Sequence, residues 1–396
     1  MSLISVDAAL ALLLANRPTL AVDTVALSEA KGARLAAPVF ATVDRPPANM
    51  SAMDGYAVRL ADVAQAGAQL QVIGEAPAGQ TFEERVEAGQ AVRIFTGAEV
   101  PEGADHVLIQ ENATRDGEGV TVVEPSTAAA HIRPAGLDFK RGDRIIEAGS
   151  VIGPAELAAI ASANVDMVSV YRRPRVALLA NGDELRPPGS PLARGQIVNS
   201  NPPGLLASIE AWGATGIDLG IATDSPEDIR AHIDKAGEAD IIVPIGGASV
   251  GDHDYMRSTF AEAGFETVFE KIAVKPGKPT WFSARGETRV LGLPGNPASA
   301  FVCAQLFLRP LITGEGHETV RAVLAEDLPA NGRRETFLRA RAQISDSGHL
   351  SVQTFPDQDS SLISPFLQAN VLIRRVAGAE ACQAGETVEV VRLKGL

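Results

Sequence analysis

From Arg175 to about residue 308 the chain alternates short apolar runs with helix-length segments, and this alternation restricts the fold more than any other feature. Val176–Ala180, Ile217–Ile221, Ile241–Ile245, Thr267–Val274 and Arg289–Leu293 read as strands; Pro203–Trp212, Pro226–Ala236, Tyr255–Ala263 and Ala298–Leu308 read as helices. Strands separated by helices must cross over the sheet, so the pattern predicts a central parallel α/β domain with helices on both faces.

In such a sheet the loops after the strands gather at one edge, where a ligand can sit. Three of these corners are rich in glycine or proline: Gly246-Gly247-Ala248-Ser249-Val250-Gly251, Lys275-Pro276-Gly277-Lys278-Pro279 and Pro294-Gly295-Asn296-Pro297. Glycines let backbone N–H groups approach an anion, and a following helix N-terminus adds partial positive charge. Gly246, Gly247, Ser249 and Gly251 therefore form a candidate phosphate cradle. Asp254, just beyond, either holds a cation or caps the next helix. Lys275 and Lys278 sit on a Pro-Gly turn and can meet an oxyanion from two sides. Pro294, Asn296 and Pro297 form a fixed loop that serves either as a turn or as a ligand contact. Asp183 and Glu184, after the first strand, are either surface acids or a Mg²⁺ pair beside phosphates.

The remainder is mostly β. Residues 5–15 read as a helix capped by Ser5, and 25–37 as a second helix-prone segment. Short β-like pieces separated by Gly, Pro and Asp follow as far as residue 142 and predict an inserted β domain. The expected organisation is a discontinuous N-terminal domain (1–45 and 143–172), an inserted β domain (46–142), the α/β domain (173–317) and a small C-terminal β domain (318–396). The total of 396 residues suits several cores.

A net charge of −14 argues against nonspecific nucleic-acid binding, which needs a basic surface. It also requires a few local lysines and backbone amides to hold any anionic ligand. Cys303 and Cys382, far apart, rule out a disulfide framework. No run of about 18 uncharged apolar residues is present, so no membrane span is expected and the cytoplasm is the default. One further loop, Ser51-Ala52-Met53-Asp54-Gly55-Tyr56-Ala57, places a single acid among small residues. Its composition leaves Asp54 either structural or functional, and Asp138 in Arg133-Pro134-Ala135-Gly136-Leu137-Asp138 carries a weaker signal still.

Taken together, Ser51–Ala57, Phe95-Thr96-Gly97-Ala98, Gly182–Leu185, Gly246–Gly251 with Asp254-Tyr255, Lys275–Pro279 and Leu293–Pro297 resemble the MoeA family, equivalent to the E domain of gephyrin. The resemblance spans most of the chain and implies a MogA-like α/β domain and a homodimer with its site between subunits. It implies a molybdenumtransferase that takes adenylated molybdopterin and molybdate, hydrolyses the phosphoanhydride with Mg²⁺ and releases AMP, alongside other molybdenum-cofactor biosynthesis proteins as partners. On that resemblance Glu184 and Asp254, with Asp224 as a helper, contact Mg²⁺ or ligand, and Lys275 and Lys278 bind molybdate or phosphate. Asp54 and Asp138 orient or activate the reacting groups, Thr96 faces the glycine corners from the second subunit, and Ser360 reaches in from the last domain. Asn49-Met50, Asn181 and Ala248 depart from the family pattern and leave open a specialised paralogue. A molybdopterin adenylyltransferase shares the α/β domain but not the β-rich ends. A noncatalytic gephyrin-like scaffold is the second alternative.

Overall fold

The computed structural model describes residues 3–247, 255–345 and 348–393. The chain divides into two compact units, Met1–Ala21 with Arg173–Leu396, and Val22–Arg172.

The larger unit is built on a six-stranded sheet. Its strands are β1 (Arg175–Asn181), β2 (Thr215–Ala222), β3 (Ile241–Ile245), β4 (Glu266–Phe269), β5 (Trp281–Arg285) and β6 (Thr288–Gly292), in the order β2-β1-β3-β6-β5-β4. The pairs β2–β1, β1–β3 and β3–β6 are parallel, whereas β6–β5 and β5–β4 are antiparallel. The sheet is thus mixed rather than wholly parallel. Strand β6 follows β5 through a tight turn at Gly286, and a connection that short can only reverse the chain direction.

Alternation along β1 sends Val176 and Leu178 to one face and Ala177 and Leu179 to the other, and the two faces carry separate cores. One core buries Trp281 and Phe260, whose ring centroids lie 5.7 Å apart edge to face. Side chains of this kind each contribute about 1.5–3 kcal/mol on burial.

The other core recruits Val6, Ala9 and Leu13 from the helix Val6–Ala15, together with Phe337, Leu372 and Val391 from the C-terminal strands. The first helix, expected in the N-terminal domain, therefore packs within this unit. Arg17 beyond it donates to the carbonyls of Leu311 and Ile312. The C-terminal sheet also takes in Val274–Lys275, which lies parallel to Glu335–Thr336. The expected single strand 267–274 is consequently two: its first half ends in β4, and its second half crosses to a different sheet. Ile4 marks the crossing, donating to Lys271 O and accepting from Ala273 N.

The smaller unit holds a six-stranded sheet in which Gly55–Val58 lies between Gln90–Ile94 and His106–Ile109. A second core in this unit joins Leu35, Ile152, Ile160, Val168 and Val170. Residues 25–37, read as helix-prone, instead supply the strand Val22–Ala26, a short 3₁₀ turn and the strand Arg34–Leu35, both strands paired with Met167–Tyr171. Cross-strand pairing overrides the propensity of an Ala- and Leu-rich segment.

Candidate active site

A cavity of about 770 Å³ opens at the carboxyl ends of the parallel strands of the larger unit. Its floor is close-packed backbone. Asn181, at the end of β1, is buried and donates through Nδ2 to the carbonyls of Ala222 and Thr223 at 3.3 and 3.1 Å, tying β1 to β2. Gly246 and Gly247, both at positive φ, lie so near Asn181 that a Cβ on either would stand 2.8 Å from one of its oxygens. Asn201 Nδ2 reaches Gly295 O at 2.8 Å, so three loops are locked side by side.

The wall carries Gly246, Gly247, Glu184, Lys271, Lys278, Pro294, Asn296, Pro297 and Ser361. Among the described residues neither lysine has an ion-pair partner. Asn296 Nδ2 donates to Ser360 Oγ at 3.0 Å, and Ala298 N to Ser360 O at 2.9 Å. Ser360 therefore positions Asn296, while its neighbour Ser361 lines the cavity. The loop bearing both serines is held by buried Arg339, which donates to the carbonyls of Leu362 and Asp359 at 2.6 and 2.9 Å.

Other expected residues fall elsewhere. Lys275 is exposed on the strand paired with Thr336 and is not among the residues that line the cavity; Gly277, at positive φ, lies between the two lysines. Asp183 and Asp224 sit beside the cavity rather than on its wall, with Asp224 N donating to Asp183 Oδ1 at 3.2 Å. Ser249, Gly251 and Asp254 lie outside the described residues.

Lys271 was not singled out by sequence, although its spacing of four from Lys275 along an extended segment was a usable signal. Asn199-Ser200-Asn201 ahead of two prolines was another: it is a polar helix start, and all three residues reach the wall.

In the smaller unit Asp54 and Thr96 meet. Thr96 N and Oγ1 both donate to Asp54 Oδ1 at 2.8 Å, and these bonds, backbone before side chain, hold the carboxyl below the usual aspartate range. Gly55 is required beside it, since a Cβ there would stand 2.1 Å from Leu108 O. Asp138 pairs with Arg45 at 3.4 Å, both side chains being more than half exposed. Asn49 Oδ1 accepts from Ala135 N at 3.0 Å, giving that departure from the family pattern a role in fixing the loop before Asp138.

The comparisons follow this layout. The MoeA N-terminal region (domain I and II) matches residues 4–164, the "Probable molybdopterin binding domain" matches 177–314, and the MoeA C-terminal region (domain IV) matches 321–393. The molybdopterin molybdenumtransferase of Nostoc sp. is 34% identical over 386 residues, covering 94% of this chain and 88% of that protein. That of Haemophilus influenzae is 35% identical, covering 92% of each. The chain belongs to the MoeA family. A crystal structure titled as the molybdopterin biosynthesis MoeA protein of Pyrococcus horikosii superposes with a TM-score of 0.85 at 28% identity over the whole of both chains.

In this MoeA family member no three His, Cys, Asp or Glu side chains gather into a metal cage among the described residues. Mg²⁺ does not need one: it keeps several waters and is held through one or two carboxylates plus substrate phosphates. Glu184 on the wall, with Asp183 and Asp224 adjoining, fits that donor set. No helix among the described residues is long and apolar enough to cross a membrane.

Proposed function

We propose that this chain is a molybdopterin molybdenumtransferase, taking adenylated molybdopterin and molybdate, breaking the phosphoanhydride with release of AMP and leaving molybdenum on the dithiolene. The observation that carries this reading is the cavity, in which the Gly246-Gly247 backbone, two lysines without an ion-pair partner among the described residues and one carboxylate share a wall in an acidic protein. Relatives matched over most of both chains bear that enzyme's name.

Lys271 and Lys278 offset charge on the phosphate and molybdate oxygens, which is where charge grows as the anhydride breaks. Gly246 N is spent on Leu293 O at 3.1 Å, so Gly247 is the one of the pair whose backbone N–H is assigned to a phosphate. Glu184, with Asp183 or Asp224, would hold Mg²⁺, which when bound neutralises phosphoryl charge. Asn296, steadied by Ser360, orients the ligand. The cavity wall draws on residues 181–361, and we assign the opposite wall to Asp54, Thr96 and Asp138 of the partner subunit in a homodimer.

The deciding assay is molybdate- and Mg²⁺-dependent AMP release from adenylated molybdopterin; adenylation of molybdopterin from ATP instead would overturn the reading. A mixing experiment tests the dimer. Separately inactive D54A and K278A chains, refolded together, should recover about a quarter of the wild-type rate, because half the dimers are mixed and each has one intact site. No recovery would rule out a site shared between subunits.

A further inference from the structure

The charged wall of the cavity has an apolar neighbour that the proposed chemistry leaves unused. Leu185–Arg186 and Ile197–Val198 form a two-stranded parallel ribbon in the register Leu185 with Ile197 and Arg186 with Val198. Ile197 N donates to Glu184 O at 2.9 Å, Asn199 N to Arg186 O at 2.8 Å, and Arg186 Nη1 to Asp183 O at 2.9 Å. The ribbon is thereby tied to the acidic corner.

Leu185, Ile197 and Val198 all lie on the cavity wall, yet Ile197 is 54% and Val198 39% exposed. Three adjoining aliphatic residues held open inside a cavity differ from apolar residues scattered singly on a surface. The cavity volume is that of a small-molecule site, and its lining sets these aliphatic residues beside lysines, asparagines and serines. An aliphatic shelf beside lysines and glycine corners suits a ligand with a flat, weakly hydrated ring at one end and phosphate at the other.

We infer that the Leu185–Ile197–Val198 ribbon is the platform on which a bicyclic heteroaromatic ring of the substrate, purine or pterin, lies while its phosphate meets the charged wall. This rests on the proposed function, which supplies a substrate carrying both rings. The Ile197–Glu184 hydrogen bond then couples ring placement to the position of the acid, so the ribbon selects for ring-bearing phosphates over free phosphate.

The test is calorimetric titration of the full chain with AMP, with a free pterin and with inorganic phosphate. The I197S/V198S variant should bind one of the two ring ligands about tenfold more weakly, from lost apolar contact, with phosphate binding unchanged. Weakened AMP binding assigns the platform to the purine, and weakened pterin binding assigns it to the pterin. The conservative I197V/V198I variant should restore wild-type affinity. Equal binding of both ring ligands by wild type and I197S/V198S overturns the proposal. So does an equal loss for phosphate, or failure of the wild type to bind either ring ligand up to about 1 mM. Molybdate-dependent AMP release by the wild type is read separately: its absence sinks the molybdenumtransferase reading while a ring-specific loss would still stand.

Discussion

The two units carry the charged groups of their candidate site residues in opposite ways. In Val22–Arg172, Asp54 is engaged by two donors from Thr96 and Asp138 by Arg45. In the larger unit, Lys271 and Lys278 face a cavity without an ion-pair partner among the described residues. A carboxylate that already accepts hydrogen bonds is fixed in direction and kept ionised. A bare lysine has its full charge to give to an incoming anion. The smaller unit therefore presents pre-oriented acids, and the larger one presents unspent positive charge.

The largest effect should come from removing that charge. K278A is expected to lower kcat/KM for AMP release by about a hundredfold or more, the scale seen when one transition-state contact to a developing charge is deleted. K275A should change it by less than about threefold, since Lys275 is not among the lining residues and a charge outside the wall acts weakly through solvent. Steady-state kinetics on the two variants breaks the comparison if K275A is the more damaged.

The turn that presents Lys278 is the next target. Gly277 has φ of +113°, and a Cβ there would stand 2.0 Å from Cys303 Sγ. Thr280 Oγ1 closes the turn by donating to Gly277 O at 2.8 Å. G277A should cost about 2–4 kcal/mol in urea unfolding, from overpacking plus backbone strain. Adding C303A should return part of that loss by clearing the clash, with the strain remaining. Equal stability of G277A and wild type would show that the turn yields freely and does not fix Lys278.

Much of this arrangement was legible in the sequence, and what escaped has physical reasons. Strand–helix alternation located the central sheet, and glycine and proline located the corners at 246–247 and 294–297, because these signals are local. The home of the first helix was not local. Val6, Ala9 and Leu13 declare an apolar face, but nothing in them says that Leu306 and Leu311 lie opposite. Likewise an extended run such as 267–275 does not declare which sheet each half will join, and so does not show that Lys275 lies on the strand paired with Thr336 while Lys278 lines the cavity. Asp54-Gly55 was opaque for a related reason: the demand for glycine comes from Leu108 O, more than fifty residues away.

Two histidines repeat the contrast between the units. His106 is buried with both nitrogens engaged: Nδ1 accepts from Ala130 N at 3.0 Å, so Nε2 carries the proton and donates to Ser126 Oγ at 2.9 Å. His317 in the larger unit has both ring nitrogens buried without a hydrogen-bond partner among the described residues, and burial first, then Arg374 and Arg309, push it down to about 4. A depressed folded value means that the unfolded chain takes the proton first. The stability from a neutral His317 is therefore present above about pH 6.5 and is lost as the pH falls toward 4. H317L should flatten this acid limb in pH-dependent urea unfolding. H106L should instead cost about 1–3 kcal/mol near neutral pH, because it strands the part-buried Ser126 and Ala130 partners, and since burial first and then His131 hold His106 below its ordinary value, that cost should shrink toward acid pH. Parallel pH profiles for wild type and H317L would remove the contrast.

A small effect is expected at Thr96. Both of its bonds lower the Asp54 pKa, the backbone N–H more than the hydroxyl, while Arg93 adds a weaker pull in the same direction. T96V deletes the hydroxyl and keeps the N–H, so the carboxyl should rise without reaching the ordinary aspartate value. The sign follows directly: an acid needed in its ionised form loses activity as pH falls through its pKa, so the acid limb of the rate profile should move to higher pH in T96V. At pH 7 the group remains ionised in both proteins, and the rate there should fall by less than about fivefold, reflecting lost orientation alone. T96S, which keeps the hydroxyl, should restore both the limb and the rate. If instead T96V cut the rate at pH 7 as severely as K278A while leaving the limb in place, Thr96 would be meeting the substrate itself. The acids of the smaller unit would then be no more preset than the lysines of the larger.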